Sequence, residues 1–248
     1  MEHVSVSAKK LLADYIAVQI DSFTWNRFRL LKPYIVQGPV KILNIGTGGG
    51  VQSLRLLRAG NRVTAVEIDP ETARRTQERV HRHGFEDRFN LVEGHILNVE
   101  VEGNYRAVWM TEVLEHIQND HAVLKKIGSL LETGGRLVMS TPTASWGQLG
   151  GKVSIEEDGG HVRVGYEGEE LDLMLRDVGL LTIRRIMNCN RVTQVLYHLE
   201  KILQHSSIWP VRYIVSLALR PLIPILDLGS FGKKWANQIT VAKKIPQG

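Results

Sequence analysis

Cysteine is almost absent from this chain: Cys189 is the single thiol among 248 residues. One cysteine cannot build an intramolecular disulfide framework or a multi-cysteine zinc site, so a reducing, cytoplasmic setting is expected. The role expected of Cys189 is that of a small buried hydrophobe rather than a nucleophile. Aromatic residues are sparse at 6%, and nowhere do they interleave with basic residues as nucleic-acid stacking surfaces require. The net charge is +5 and the pI is near 9.3. The basic residues are nevertheless dispersed in pairs such as Arg74-Arg75, Arg184-Arg185, Lys233-Lys234 and Lys243-Lys244, which read as solvated faces. Nucleic acid is therefore not the favoured partner. No long apolar run opens the chain either: Met1-Glu2-His3-Val4-Ser5 is polar, and no secretory leader is expected.

What is present is a strand, glycine turn, helix and second strand. Val40-Lys41-Ile42-Leu43-Asn44-Ile45 runs into Gly46-Thr47-Gly48-Gly49-Gly50, and Arg62-Val63-Thr64-Ala65-Val66-Glu67 ends in a carboxylate. Glycines at such a turn permit positive φ and let a ligand approach bare backbone beside a helix N-terminus. An acid about twenty residues later, at the end of the second strand, can take both hydroxyls of a ribose. The unit reads as a nucleotide-binding βαβ.

The spacing Asn44-x-Gly46-x-Gly48-Gly49-Gly50 resembles the acid-x-Gly-x-Gly-x-Gly signature of class I S-adenosylmethionine (SAM) methyltransferases more than the Gly-x-Gly-x-x-Gly of dinucleotide enzymes. Asn44 stands where that family usually has Asp or Glu, and its amide lacks the charge that would attract the cofactor's ammonium group. The resemblance implies SAM as cofactor, with contacts from Asn44, Gly46, Thr47, Gly48, Gly50, Glu67 and Ile68. After the third strand it implies Glu93, Gly94, His95 and Ile96 around the adenine, and after the fourth Thr111.

A length of 248 residues suits one decorated α/β domain with a substantial core. Helical periodicity over residues 8 to 34 predicts an N-terminal cap over the cleft, assigned to 1–37. Strands at 40–45, 62–67, 88–92, 105–110 and 135–141 alternate with helices at 51–59, 70–83 and 119–131, which predicts a doubly wound, mostly parallel sheet. A Gly-rich loop at 143–165, a helix at 167–178 and a strand at 180–188 come next. The SAM-binding core is assigned to 38–190, a helical insertion or lid to 191–235, and a last strand and tail to 236–248. The family resemblance implies that this last strand is antiparallel and completes seven strands. Within the insertion, 208–226 is mostly apolar but carries Arg212, Arg220, Pro210, Pro221 and Pro224, which argues against a membrane span. Packing on the core, a lid over an apolar acceptor, and peripheral contact with a membrane surface remain open.

The chemistry-bearing residues come after the fourth strand, in Thr111-Glu112-Val113-Leu114-Glu115-His116. On a helix Glu112, Glu115 and His116 would share one face, and strand ends at this point of an open sheet look into the ligand crevice. The Glu-x-x-Glu-His pattern resembles ubiquinone-pathway O-methyltransferases and also the small-RNA 3′-terminal 2′-O-methyltransferases, which add a downstream histidine to complete a metal site. His161 is the matching candidate here. Glu112, Glu115, His116 and His161 are thus expected either to hold Mg²⁺ or Mn²⁺, with Fe²⁺ or Zn²⁺ as alternatives, or to form a metal-free polar rim with His116 or His161 as base. The expected activity is methyl transfer to a hydroxyl of a small, hydrophobic acceptor. RNA 2′-O-methylation and a non-catalytic SAM-binding subunit are the competing readings. The oligomeric state is not legible.

Overall fold

The computed structural model describes residues 22–145, 160–204, 217–228 and 234–246. Seven strands form one sheet: β1 (Lys41–Ile45), β2 (Arg62–Glu67), β3 (Phe89–Glu93), β4 (Tyr105–Thr111), β5 (Leu131–Pro142), β6 (Leu180–Asn190) and β7 (Trp235–Lys244). Their order is β3-β2-β1-β4-β5-β7-β6. β7 runs antiparallel between β5 and β6, and the other pairs are parallel. This is the seven-stranded arrangement expected from the sequence.

The central strands are apolar because both their faces are covered. Successive side chains sort to opposite faces. Leu43, Val108 and Met110 join Leu124, Ile127 and Tyr166 on one side. Ile42, Ala107 and Trp109 join Leu54, Leu57 and Phe28 on the other. Between β1 and β2 lies α2 (Val51–Arg58), and α3 (Pro70–Arg82) comes after β2. Asp69 starts α3 as expected: its carboxylate accepts from Thr72 N at 2.7 Å, and Pro70 supplies the fixed φ of a first helical position. Asn119 caps α4 (Asp120–Leu130) in the same way, accepting from Ala122 N at 3.2 Å.

Of the expected cap, the described part is α1 (Ser22–Leu31), with a short 3₁₀ turn at Lys32–Tyr34; residues 8–21 lie outside the described residues. Most of the 143–165 loop does so as well, but its end, from Gly160 onward, is described and leads into α5 (Gly168–Asp177). In the insertion, α6 (Arg191–Gln204) starts directly after β6. A second helical stretch of the insertion, expected from the sequence over about 208–227, is interrupted where it is described. Residues 208–216 lie outside the described residues, 217–219 are helical, the chain turns at Arg220 and Pro221, and α7 (Leu222–Leu228) begins afresh. Proline lacks the amide donor and keeps its predecessor out of the helical region, so one continuous helix cannot pass that point. No helix among the described residues is long and apolar enough to cross a membrane.

Candidate active site

The strand order turns around at β1 and β4, which leaves a crevice beyond their carboxyl ends. A cavity of about 570 Å³ occupies it, within the roughly 300–1,000 Å³ range of small-molecule sites. Gly46, Thr47 and Gly48 form one wall and Glu67 and Ile68 the next. Gly94, His95 and Ile96 continue around it, and Thr111, Glu112 and His116 complete the circuit. Most residues expected at the cofactor are therefore together.

The loop after β1 can be made only as it is. Gly46 has φ +72, and a Cβ there would lie 2.3 Å from Val113 Cγ2. At Gly48 a Cβ would meet nothing within 4 Å, so backbone faces open space. Glu67, 8% exposed, ties the loop to β2. Its Oε2 accepts from Thr47 N at 2.7 Å, Thr47 Oγ1 at 2.9 Å and Gly48 N at 3.3 Å. Its Oε1 accepts from Ile68 N at 3.0 Å and Asp69 N at 3.2 Å. Thr76 of α3 braces the same loop, donating towards Thr47 Oγ1 at 3.1 Å and Gly48 O at 3.2 Å.

Three expected cofactor contacts sit elsewhere. Asn44 is fully buried beneath α2, donating to Ser53 Oγ at 2.9 Å, because its place in β1 turns it to that helix and not to the crevice. Gly50 has φ +79 and packs on Thr76, where a Cβ would come within 3.2–3.3 Å; it serves loop-to-helix packing. Glu93 is exposed at the end of edge strand β3 and does not line the cavity.

The segment after β4 also departs from expectation. Only Leu114–His116 is helical, as a 3₁₀ turn, and Glu112 precedes it with φ +53. Glu112 consequently does not share a face with Glu115 and His116. Its Oε1 accepts from Ser140 Oγ at 2.7 Å and Asn237 Nδ2 at 2.8 Å, and its Oε2 pairs with Arg27 at 3.3 Å. Those contacts join β4, β5, β7 and α1, and they remove Glu112 from the expected four-residue metal set.

Glu115, His116 and His161 do converge: one ligand atom from each lies within 4.8 Å of the other two. The imidazoles meet edge to face, with centroids 4.4 Å apart. The chain around Tyr166 explains how a loop residue reaches this place. Val162 N donates to Glu115 O at 2.9 Å. Tyr166 OH donates to Leu114 O at 3.2 Å and Asp120 Oδ2 at 3.0 Å. Arg163 stacks over the Tyr166 ring at 4.0 Å and pairs with Asp120 at 2.9 Å. Burial first, then the Asp120 charge, pushes the Tyr166 phenol far above its ordinary value, so it stays a neutral donor.

Sequence reasoning placed a helical cap over the cleft but did not name the residues with which it lines the cavity. Thr24, Arg27 and Phe28 of α1 line the cavity, and Arg27 brings a guanidinium, 14% exposed, to its edge. The helical period over these residues was visible, but which side faced the crevice depends on packing against distant strands.

Comparison with known proteins places this fold in a family. A family model described as a methyltransferase domain matches residues 23–184. The ubiquinone biosynthesis O-methyltransferase of Xanthomonas axonopodis pv. citri (strain 306) is 32% identical over 101 residues, 41% of this chain and 42% of that protein. The match thus spans about two fifths of that relative's length. Geranyl diphosphate C-methyltransferase from Streptomyces coelicolor A3(2), crystallised with Mg²⁺, geranyl diphosphate and S-adenosyl-L-homocysteine, superposes with a TM-score of 0.64 at 15% identity, covering 89% of this chain and 79% of that one. N-methyltransferase NodS from Bradyrhizobium japonicum WM9, in complex with S-adenosyl-L-homocysteine, gives 0.60 at 14% identity over 92% and 89%. At such identities the two superpositions speak for the fold alone.

Proposed function

This chain belongs to the class I SAM-dependent methyltransferase family, and from that premise we propose that it transfers the methyl group of SAM to a hydroxyl of a small, hydrophobic acceptor. The observation that carries the reading is the cavity itself. A nearly buried carboxylate, exposed loop backbone and apolar side chains line it at the turning point of the sheet. The residues fit the cofactor. Glu67 would take the ribose hydroxyls, Ile68 and Ile96 would flank the adenine, and His95 is the polar group beside it. Gly46, Thr47 and Gly48 would face the amino-acid portion, whose carboxylate the Arg27 guanidinium complements in charge.

Bound SAM supplies a methyl group on a positively charged sulfur. What the protein has to do is align an oxygen with that carbon, exclude water and remove one proton. Phe28 and Arg27 of α1 roof the site, and with no metal bound His116, exposed at the cavity wall, would take the acceptor's hydroxyl proton at a ring nitrogen.

Glu115, His116 and His161 together offer one carboxylate and two imidazoles. With Glu112 withdrawn, that donor set suits Zn²⁺, Mn²⁺ or Fe²⁺ better than Mg²⁺. A metal held by these three residues would supply Lewis acidity towards an acceptor oxygen.

The test uses SAM labelled in its methyl group with a panel of hydrophobic phenols, amines and a short RNA. Labelled ether product and S-adenosylhomocysteine are expected from a phenol, with loss in EDTA and recovery on adding Zn²⁺ or Mn²⁺. Full turnover by protein shown to be metal-free removes the metal and leaves His116 as a simple base. Product from amines or RNA alone overturns the acceptor class.

A further inference from the structure

The insertion that interrupts the fold between β6 and β7 carries a surface with a consistent chemistry. Thirteen large hydrophobic residues are exposed among the described residues, and seven of them fall between 195 and 228. On α6 these are Val195, Leu199 and Ile202, 40%, 50% and 68% exposed, spaced to fall on one face. On α7, which packs against α6, Leu222, Ile225 and Leu228 repeat the pattern, and Leu228 is 87% exposed. Apolar residues concentrated in this way mark an interaction site, whereas the other six are scattered.

Charge narrows the occupant. Residues 191–235 contain six basic residues and two acidic ones, so this stretch supplies +4 of the chain's net +5. Both acids face inward. Glu200 is 1% exposed and accepts from Ser22 N at 3.0 and 3.1 Å. Asp227 accepts from Asn26 Nδ2 at 2.8 Å, Thr193 Oγ1 at 2.8 Å, Asn190 N at 3.1 Å and Cys189 N at 3.2 Å. The stretch that carries this apolar double-helix face is thus net basic in sequence, and both its carboxylates are engaged internally, a chemistry complementary to an anionic, greasy surface. A second copy of the chain docked through this insertion would bring two net-basic stretches together.

We propose that the α6–α7 face docks the protein on the surface of a bilayer containing anionic phospholipid. The helices lie in the interface and do not cross it, since no helix among the described residues is long and apolar enough to span. Asp227 and Glu200 bind this platform to α1 through Asn26 and Ser22, and α1 roofs the cavity with Thr24, Arg27 and Phe28. Docking therefore fixes the cavity relative to the membrane, where a hydrophobic acceptor is dissolved. The proposal extends the acceptor reading above, but it is tested without methyl transfer, so either can fail alone.

The test is flotation of the full chain with phosphatidylcholine vesicles, with and without phosphatidylglycerol, at low and high salt. The wild type is expected to partition at least about tenfold more strongly onto the anionic vesicles, and high salt should reduce this. The triple variant Leu199→Gln, Ile202→Gln, Ile225→Gln alters only exposed side chains. It should lose about tenfold or more of the partitioning while its thermal midpoint and calorimetric SAM affinity stay at wild-type values. Wild-type protein that floats with neither vesicle, or a triple variant that floats as well as wild type, overturns the proposal. So does a concentration-dependent dimer, seen by sedimentation, that the triple variant abolishes, because the face then belongs to a second copy.

Discussion

Replacing Glu67 with alanine is the sharpest test of the cofactor site, because this carboxylate has two employments that the substitution separates. In the structure it accepts five donors, three on Oε2 and two on Oε1. A carboxylate offers only about four lone-pair directions. A ribose bound there must replace at least one loop donor, so its two hydroxyls do not add their full worth. A hydrogen bond to a charged acceptor is worth about 1.5–3 kcal/mol net. With one such bond exchanged, the expected loss for Glu67→Ala lies at the lower end, roughly a tenfold to thirtyfold rise in Kd. The assay is calorimetric titration with SAM or S-adenosylhomocysteine, with circular dichroism to confirm folding. Thr47→Val is the matched control. It removes one donor from the same carboxylate but keeps the acceptor, so any loss of affinity should be clearly smaller than that of Glu67→Ala. Glu67→Ala affinity within about twofold of wild type, or an equal loss in Thr47→Val, refutes the reasoning and leaves Glu67 as a brace for the glycine loop.

Two more outcomes rest on local structure. Asp69→Ala should lower the thermal midpoint with no change in SAM affinity, because Asp69 caps α3 through Thr72. That bond to Thr72 holds the Asp69 carboxyl below its ordinary 3.8. Its contribution is therefore present above that value and is lost as pH falls through the lower folded value. Melting curves should show the wild type and Asp69→Ala converging in acid, and a constant difference down to pH 2 would contradict the assignment. Cys189 is 4% exposed, and burial, together with the smaller effect of the Asp227 charge, pushes its thiol up to about 12. Thiolate at pH 8 is then about one part in ten thousand. Native protein should resist iodoacetamide at pH 8 and react once unfolded, and rapid labelling of native protein would refute the burial argument.

The sheet and its first loop were legible in the chain alone, because both depend on short-range chemistry. Apolar runs of strand length alternate with 3.6-period segments, and the glycine run after β1 marks a turn where φ is positive, as at Gly46 (φ +72). Asp69-Pro70 announces a helix start from two adjacent residues. The end of the second apolar run likewise puts Glu67 and Ile68 at a strand end, and hence at the crevice. Facing and distant partners were settled only by the packed fold. Asn44 belongs to a strand buried on both sides, where an apolar pattern does not reveal which face points to the ligand, and it turned out to serve Ser53 beneath α2. Glu112 left the expected helical face because Ser140, Asn237 and Arg27, far away in the chain, engage its carboxylate. His161 reached His116 only through the stacking of Arg163 and Tyr166 on Asp120 and the 3₁₀ turn. Local periodicity encodes which residues share a helix or strand, whereas a site assembled across loops is fixed by the packing that brings them together.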